Sequence, residues 1–162
     1  MCRTACLGGA GMVHYERGNI VTNKKYTIFC QQVNCRKVMG AGLARQIRNE
    51  YPEVYVEYKH VEDPMLGYIL PVFTSDGRIC INMFAQDGFG RDKQYTDYDA
   101  FKSCLRAIVG LVADHHIHED VPIAFPYMIG CGLAGGDWTV IEKLLLEFSD
   151  MVPNDVIIVR LN

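Results

Sequence analysis

Glycines mark the two places in this 162-residue chain where the backbone itself could do chemistry. The first segment is Asn34-Cys35-Arg36-Lys37-Val38-Met39-Gly40-Ala41-Gly42-Leu43-Ala44. Gly40 and Gly42 permit a tight turn and a close approach of main chain to ligand. If a helix opens there, its first N–H groups lack internal acceptors and, with the helix dipole, can hold an anion. The second segment is Ile129-Gly130-Cys131-Gly132-Leu133-Ala134-Gly135-Gly136-Asp137-Trp138. So dense a glycine run is costly in chain entropy, and a plain connection does not need it. Either segment alone also fits an ordinary strand-to-helix connection. The pair, both placed before helices, suggests a cleft for a ligand with more than one phosphate.

Side-chain chemistry is sparser. The most polar connection is Phe84-Ala85-Gln86-Asp87-Gly88-Phe89-Gly90-Arg91-Asp92-Lys93. Glycines flank Phe89, so this stretch reads as a mobile lid whose aromatic covers a sugar. Gln86, Asp87 and Asp137 are the candidate catalytic residues. Each carboxylate has a competing structural role, Asp137 as a helix N-cap and Asp87 as a turn former, with Asp92 as a partner of Arg91 or Lys93. Cys131 reads as a small packing residue, because no His lies near it in sequence to make it a nucleophile. Cys2, Cys6, Cys30, Cys35, Cys80, Cys104 and Cys131 are odd in number and form no C-x2-C pair. They read as free thiols of a reducing, cytoplasmic setting. The tract His115-His116-Ile117-His118 follows a helix end, where imidazoles complement the dipole. Neither a metal site nor a cofactor is expected.

These segments need elements to position them. Short apolar, β-branched runs predict strands at Val13–Tyr15, Tyr26–Val33, Gly67–Phe73, Arg78–Phe84, Val121–Pro126 and Val156–Leu161. Val156-Ile157-Ile158-Val159 lacks polar alternation, as in a strand covered on both faces. A helix opening at Gly40–Gly42 carries Leu43, Ile47 and Tyr51 and breaks before Pro52. A second short helical segment follows over Val54–His60. Tyr98, Phe101, Leu105, Ile108 and Val112 recur at steps of three and four residues, with Thr96 as the expected cap. A last helix follows Asp137 and carries Val140, Leu144 and Phe148, with Ile141 and Leu145 beside them. The alternation predicts a three-layer α/β/α sandwich around a mixed, mostly parallel sheet. In such sheets ligands bind beyond the carboxyl ends of the strands, where both glycine segments fall.

Composition agrees with one globular domain over residues 13–162, preceded by a flexible extension over 1–12. Hydrophobic residues make 49% of the chain and charged residues 22%, which argues against disorder. The net charge of -3 argues against broad duplex binding, while leaving room for phosphates held by backbone N–H groups. No stretch is long enough for a membrane span. A monomer is expected. A dinucleotide-binding Rossmann unit is the nearest competitor, but Gly40-Ala41-Gly42-Leu43-Ala44-Arg45 lacks the third small residue at the right step and follows the second strand.

With both loops in hand, the chain resembles the macrodomain family from Glu16 to Leu161. The markers are Gly18-Asn19-Ile20, Gln32-Val33-Asn34-Cys35 running into Val38-Met39-Gly40-Ala41-Gly42-Leu43-Ala44, Pro126-Tyr127-Met128-Ile129-Gly130-Cys131-Gly132-Leu133, and Val159-Arg160-Leu161. The branch it looks most like holds the terminal ADP-ribose glycohydrolases, the ADP-ribose-1''-phosphate phosphatases and the DNA-directed antitoxin macrodomains. The resemblance implies that the partner is ADP-ribose or an ADP-ribosylated protein or nucleic acid. It implies hydrolysis of an ADP-ribosyl bond or of ADP-ribose-1''-phosphate, with a non-catalytic ADP-ribose-binding module as the alternative.

Residue by residue, the resemblance implies that Asn19 and Ile20 read adenine, the Asn19 carbonyl accepting from the adenine amino group. Leu161 closes over the base. Asn34 with Lys37, Val38, Met39, Gly40, Ala41, Gly42 and Leu43 surrounds the distal ribose and pyrophosphate. Ile129, Gly130, Cys131, Gly132, Leu133 and Ala134 form the second phosphate loop, and Gln31, Phe84, Ala85, Phe89 and Tyr127 complete the lining. Departures stand beside these matches. Many relatives have Asp at Asn19 and His at Gln31. The glycohydrolase branch has a catalytic Lys and Asp where this chain has Ala85-Gln86 and Ala134.

Overall fold

The computed structural model describes residues 11–161. In chain order the elements are Val13–Arg17 (β1), Ile28–Asn34 (β2), Gly42–Glu50 (α1), Pro52–Lys59 (α2), Ile69–Phe73 (β3), Ile79–Gln86 (β4), Tyr98–Asp114 (α3), Ile123–Pro126 (β5), Trp138–Ser149 (α4) and Val156–Arg160 (β6). Every expected element is present. The end of β4 differs in a way that matters for the site. It runs through Ala85 to Gln86 and so carries the start of the polar connection inside the sheet.

Local chemistry sets the helix boundaries. Pro52 stops α1 and, having no N–H to lose, becomes the first residue of α2. The cap of α3 is Asp97 and not the expected Thr96, since the Asp97 carboxylate accepts from the Ala100 N–H at 2.9 Å. Thr96 is buried one residue earlier, and its hydroxyl is engaged elsewhere. Asp137 caps α4 as expected, taking the Thr139 N–H at 2.8 Å. That helix turns Ile141, Leu145 and Phe148 into the core, with Val140 and Leu144 at its edge.

The six strands lie in the order β1-β6-β5-β2-β4-β3. All pairings are parallel except that of β3 with β4. Side chains alternate across the sheet and build a core on each face. On one face Cys30, Ile81, Met83 and Phe125 pack under α3 and α4. On the other, Phe29, Val33, Cys80 and Phe84 pack under α1 and α2. Neighbouring strands β2 and β5 therefore feed helices on opposite faces, α1 and α4. A crevice opens between such strands at their carboxyl ends, the usual ligand position of open α/β sheets.

Gly11 and Met12 are tied to this body. The Gly11 N–H donates to the Val152 carbonyl at 2.8 Å, and the Met12 carbonyl accepts from the Val156 N–H at 2.8 Å. The rest of the expected extension, with Cys2 and Cys6, lies outside the described residues. Among the described residues no helix is long and apolar enough to cross a membrane.

Candidate functional site

The crevice between the loops after β2 and β5 is a cleft of about 590 Å³. Its walls are Val38, Gly40, Ala41, Gly42, Leu43 and Ala44 on one side and Met128, Ile129, Gly130, Gly132, Leu133 and Ala134 on the other. Gln31, Gln32, Asn34 and Gln86 line it from β2 and β4, and Phe89, Gly90 and Arg91 from the connection after β4. Helix α1 begins at this cleft with Ala41 in the cap position and no side-chain cap, whereas Asp97 and Asp137 cap α3 and α4. Among the described residues the N–H groups of Gly40, Ala41, Gly42, Leu43 and Ala44 have no acceptor. Across the cleft the same holds for Gly130, Gly132, Leu133 and Ala134. Two sets of free donors thus face one space, one of them at the positive end of a helix.

The sequence fixes the first loop through Asn34. Its Oδ1 accepts from the Arg36 N–H at 3.0 Å and the Val38 N–H at 3.3 Å, while its Nδ2 donates to the Val38 carbonyl at 2.9 Å. The buried Tyr58 hydroxyl lies 2.6 Å from the Asn34 carbonyl and 2.9 Å from Oδ1. Lys37, at φ 62°, turns the chain so that Met39 enters the core beneath. The second loop hangs on Thr96, whose hydroxyl donates to the Gly130 carbonyl at 2.6 Å. Gln32 Nε2 donates to that hydroxyl at 2.9 Å and to Gln86 Oε1 at 3.0 Å, so β2, β4 and the second loop share one polar network.

A side cavity of about 330 Å³ adjoins the cleft and shares Leu43, Pro126 and Tyr127 with it. Gly18, Asn19, Ile20, Gln46, Val159, Arg160 and Leu161 complete its lining. The Asn19–Val21 turn is held from behind by Arg78, which is only 2% exposed. Its guanidinium donates to the carbonyls of Ile20 at 2.7 Å, Val21 at 2.6 Å and Tyr26 at 2.9 Å, and stacks 4.0 Å from the centre of the Phe29 ring.

Solved structures with this architecture have been described. The macrodomain of Mycobacterium tuberculosis DarG superposes with a TM-score of 0.78 at 23% identity, over 93% of this chain and 97% of that one. Thermosipho africanus DarTG in complex with ADP-ribose gives 0.76 at 20% identity, over 93% of this chain and 42% of the longer one. An Oceanobacillus iheyensis macrodomain with MES bound gives 0.70 at 15% identity, over 95% and 85%. The fold is the macrodomain fold. No family model and no curated protein matches the sequence.

Within this macrodomain fold the expected ligand residues separate into groups. Gln31, Asn34, Val38, Gly40, Ala41, Gly42, Leu43, Phe89, Tyr127, Ile129, Gly130, Gly132, Leu133 and Ala134 line the main cleft. Asn19, Ile20 and Leu161 line the side cavity. Others point elsewhere. Phe84 stacks on Tyr58 in the core, Ala85 is buried under α3, and Met39 is buried under α1. Lys37 contributes its backbone turn, and Cys131 directs its thiol to the Ile129 carbonyl at 3.4 Å.

The candidate catalytic residues do not converge. Asp137 is occupied as the α4 cap. Asp87 faces a second, outer cavity and pairs with Arg36 at 3.3 Å, both exposed. Gln86 does reach the cleft, but both ends of its amide are used, by Gln32 and by the Gly88 carbonyl at 2.8 Å. Asp92 pairs with the Tyr95 hydroxyl at 2.6 Å and not with Arg91 or Lys93. Burial first, then the Asp137 carboxylate, pushes the Cys131 thiol up to about 11, so it stays neutral and unreactive at neutral pH. Trp138 meets Tyr127 edge-on at 5.1 Å, a packing contact. Among the described residues no three His, Cys, Asp or Glu side chains cluster as a metal site.

Four residues that shape the site were not among the expected site residues: Gln32, Tyr58, Arg78 and Thr96. The one signal available was Arg78, a charge opening an otherwise apolar strand run.

Proposed function

We propose that this chain binds ADP-ribose, with the pyrophosphate between the two glycine loops, the distal ribose near Asn34 and Phe89, and the base in the side cavity. The observation that carries the reading is the uncapped start of α1 facing the free N–H groups of Gly130, Gly132, Leu133 and Ala134. A diphosphate satisfies both sets at once, which no side chain of the cleft does. Gln31 Oε1, buried at the cleft and without a partner among the described residues, is an acceptor suited to a ribose hydroxyl. The ADP-ribose complex of a similarly folded protein supports the same choice of ligand.

Binding is placed ahead of turnover. Among the described residues lining the cleft there is no carboxylate, imidazole, thiol or amine, so a general base for hydrolysis has no residue to act through. The test is incubation of the protein at high concentration with ADP-ribose-1''-phosphate and with ADP-ribosylated protein and DNA. Retention of the ligand without turnover fits the proposal. Many turnovers per protein, lost in Gln86→Ala at unchanged affinity, would reverse the order and restore the hydrolase.

A further inference from the structure

We propose that Thr96, with Gln32 behind it, is a positioning residue of the diphosphate site: it pins the second glycine loop in the form that turns its carbonyls away from the ligand. The inference rests on the reading of the main cleft as an ADP-ribose site. It concerns two residues that act on the ligand through the loop.

A loop that holds an anion by its N–H groups must keep its carbonyl oxygens out of the way, because every residue carries both. Here the carbonyls of Gly130, Gly132 and Ala134 are all taken. Part of that order is internal. The Gly135 N–H donates to the Gly132 carbonyl at 3.0 Å, and the Gly136 N–H to the Gly130 carbonyl at 2.9 Å. Such bonds shape the loop but travel with it. Among the described residues, the hydrogen bonds that fasten residues 130–136 to another part of the fold come from Tyr95 and Thr96, just ahead of α3. The Thr96 hydroxyl donates to the Gly130 carbonyl at 2.6 Å. The Ala134 carbonyl takes the Tyr95 N–H at 2.7 Å and the Thr96 N–H at 3.1 Å. Thr96 thus grips the loop at both ends. The fit is close: a Cβ on Gly130 would stand 3.3 Å from Thr96 Oγ1, and one on Gly136 would stand 2.5 Å from the Gly130 oxygen.

A hydroxyl has one proton to give, so that proton must be sent to the right acceptor. The bonds behind Thr96 leave it one choice. The Gly88 carbonyl can only accept, so the Gln86 amide presents Nε2 to it at 2.8 Å and turns Oε1 to Gln32. Gln32 must then present Nε2, which donates to Gln86 Oε1 at 3.0 Å and to Thr96 Oγ1 at 2.9 Å. Thr96 accepts there and donates to Gly130. Every bond is directed by two backbone carbonyls, that of Gly88 in the polar connection and that of Gly130 in the loop. Thr96 is buried, away from competing water.

The test is calorimetric titration with ADP-ribose of the wild type, Thr96→Val, Thr96→Ser and Gln32→Leu, well below their melting temperatures. Thr96→Val keeps the shape and the backbone bond to Ala134 but removes the hydroxyl, and affinity should fall about tenfold, the scale of one hydrogen bond. Thr96→Ser returns the hydroxyl and should restore most of that loss. Gln32→Leu cuts the chain one link earlier and should lose a similar amount. Combined with Thr96→Val it should lose no more than either change alone, since both act through one bond. Unchanged affinity in Thr96→Val, an equal loss in Thr96→Ser, or additive losses in the double variant overturn the inference. If Thr96→Val does not fold, unchanged affinity in Gln32→Leu overturns it and a tenfold loss supports it. A wild type that does not bind ADP-ribose overturns the cleft reading itself, which separates the two failures.

Discussion

Gly130 and Gly132 stand two residues apart in one loop for different physical reasons. Gly130 has φ +75°, and a Cβ there would come 2.7 Å from Gln32 Oε1. The folded chain itself demands a glycine at that position. Gly132 has no such φ and nothing within 4 Å of its missing Cβ. Its space is free for a ligand to approach the backbone. Gly132→Ala should therefore leave the melting temperature unchanged or slightly raised, through a less flexible unfolded chain. Affinity for ADP-ribose should fall by about tenfold or more, 1.4 kcal/mol per decade. Unchanged affinity would remove this loop from the ligand. The sequence made the glycine loops legible because unusual backbone needs select one residue type. It left Gln32 and Arg78 illegible, because where a long polar side chain ends depends on contacts distant in sequence. Asn19 falls between: its place at the cavity was readable, but the turn of its Oδ1 onto the Val21 and Thr22 N–H groups was not.

Helix starts decide what each loop can do. Asp137 and Asp97 each take one of the first N–H groups of α4 and α3, those of Thr139 and Ala100, while no side chain caps α1. Asp137→Ala should cost about 1 kcal/mol of stability, the usual worth of an N-cap, with ADP-ribose affinity unchanged; urea unfolding and calorimetry check the two halves. A loss of affinity or of turnover without loss of stability would return Asp137 to the site. Arg78 fastens the turn that edges the side cavity to the sheet. Arg78→Met strands the carbonyls of Ile20, Val21 and Tyr26, at roughly 1–3 kcal/mol for each. Denaturant unfolding should show a large loss, and wild-type stability in this variant would contradict the role. Element types were readable from periodicity and from Pro52. The misplaced cap, Thr96 for Asp97, came from two adjacent capping residues whose choice rests on the tertiary bond of Thr96 to Gly130.

At the scale of the whole molecule, the order β1-β6-β5-β2-β4-β3 sets β2 beside β5 and so brings together two loops far apart in sequence. That adjacency was foreseeable only as a fold-level resemblance, since no local pattern encodes which strands pair. The opposite end of the sheet carries Asp76, held by the Lys24 ammonium and by the hydroxyls of Thr74 and Tyr51. The Lys24 bond first, then Thr74, keep its carboxyl well below the usual carboxylate range. A depressed folded pKa gives stability that is fully present above the unfolded value of about 3.9, shrinks as pH falls below that value, and is lost as pH falls through the lower folded one. Asp76→Asn should thus lower the melting temperature at pH 7, and the gap from wild type should begin to narrow below about pH 4 and close as pH falls further. A gap that widens on acidification would contradict the assignment.

The central claim, that two sets of unpaired backbone donors form one diphosphate-ribose site, is tested most directly by calorimetric titration with ADP-ribose, with AMP and NAD as controls. The account predicts micromolar binding, about -8 kcal/mol, with both controls far weaker. A flat titration with ADP-ribose would leave the macrodomain fold standing and remove the proposed ligand from its cleft.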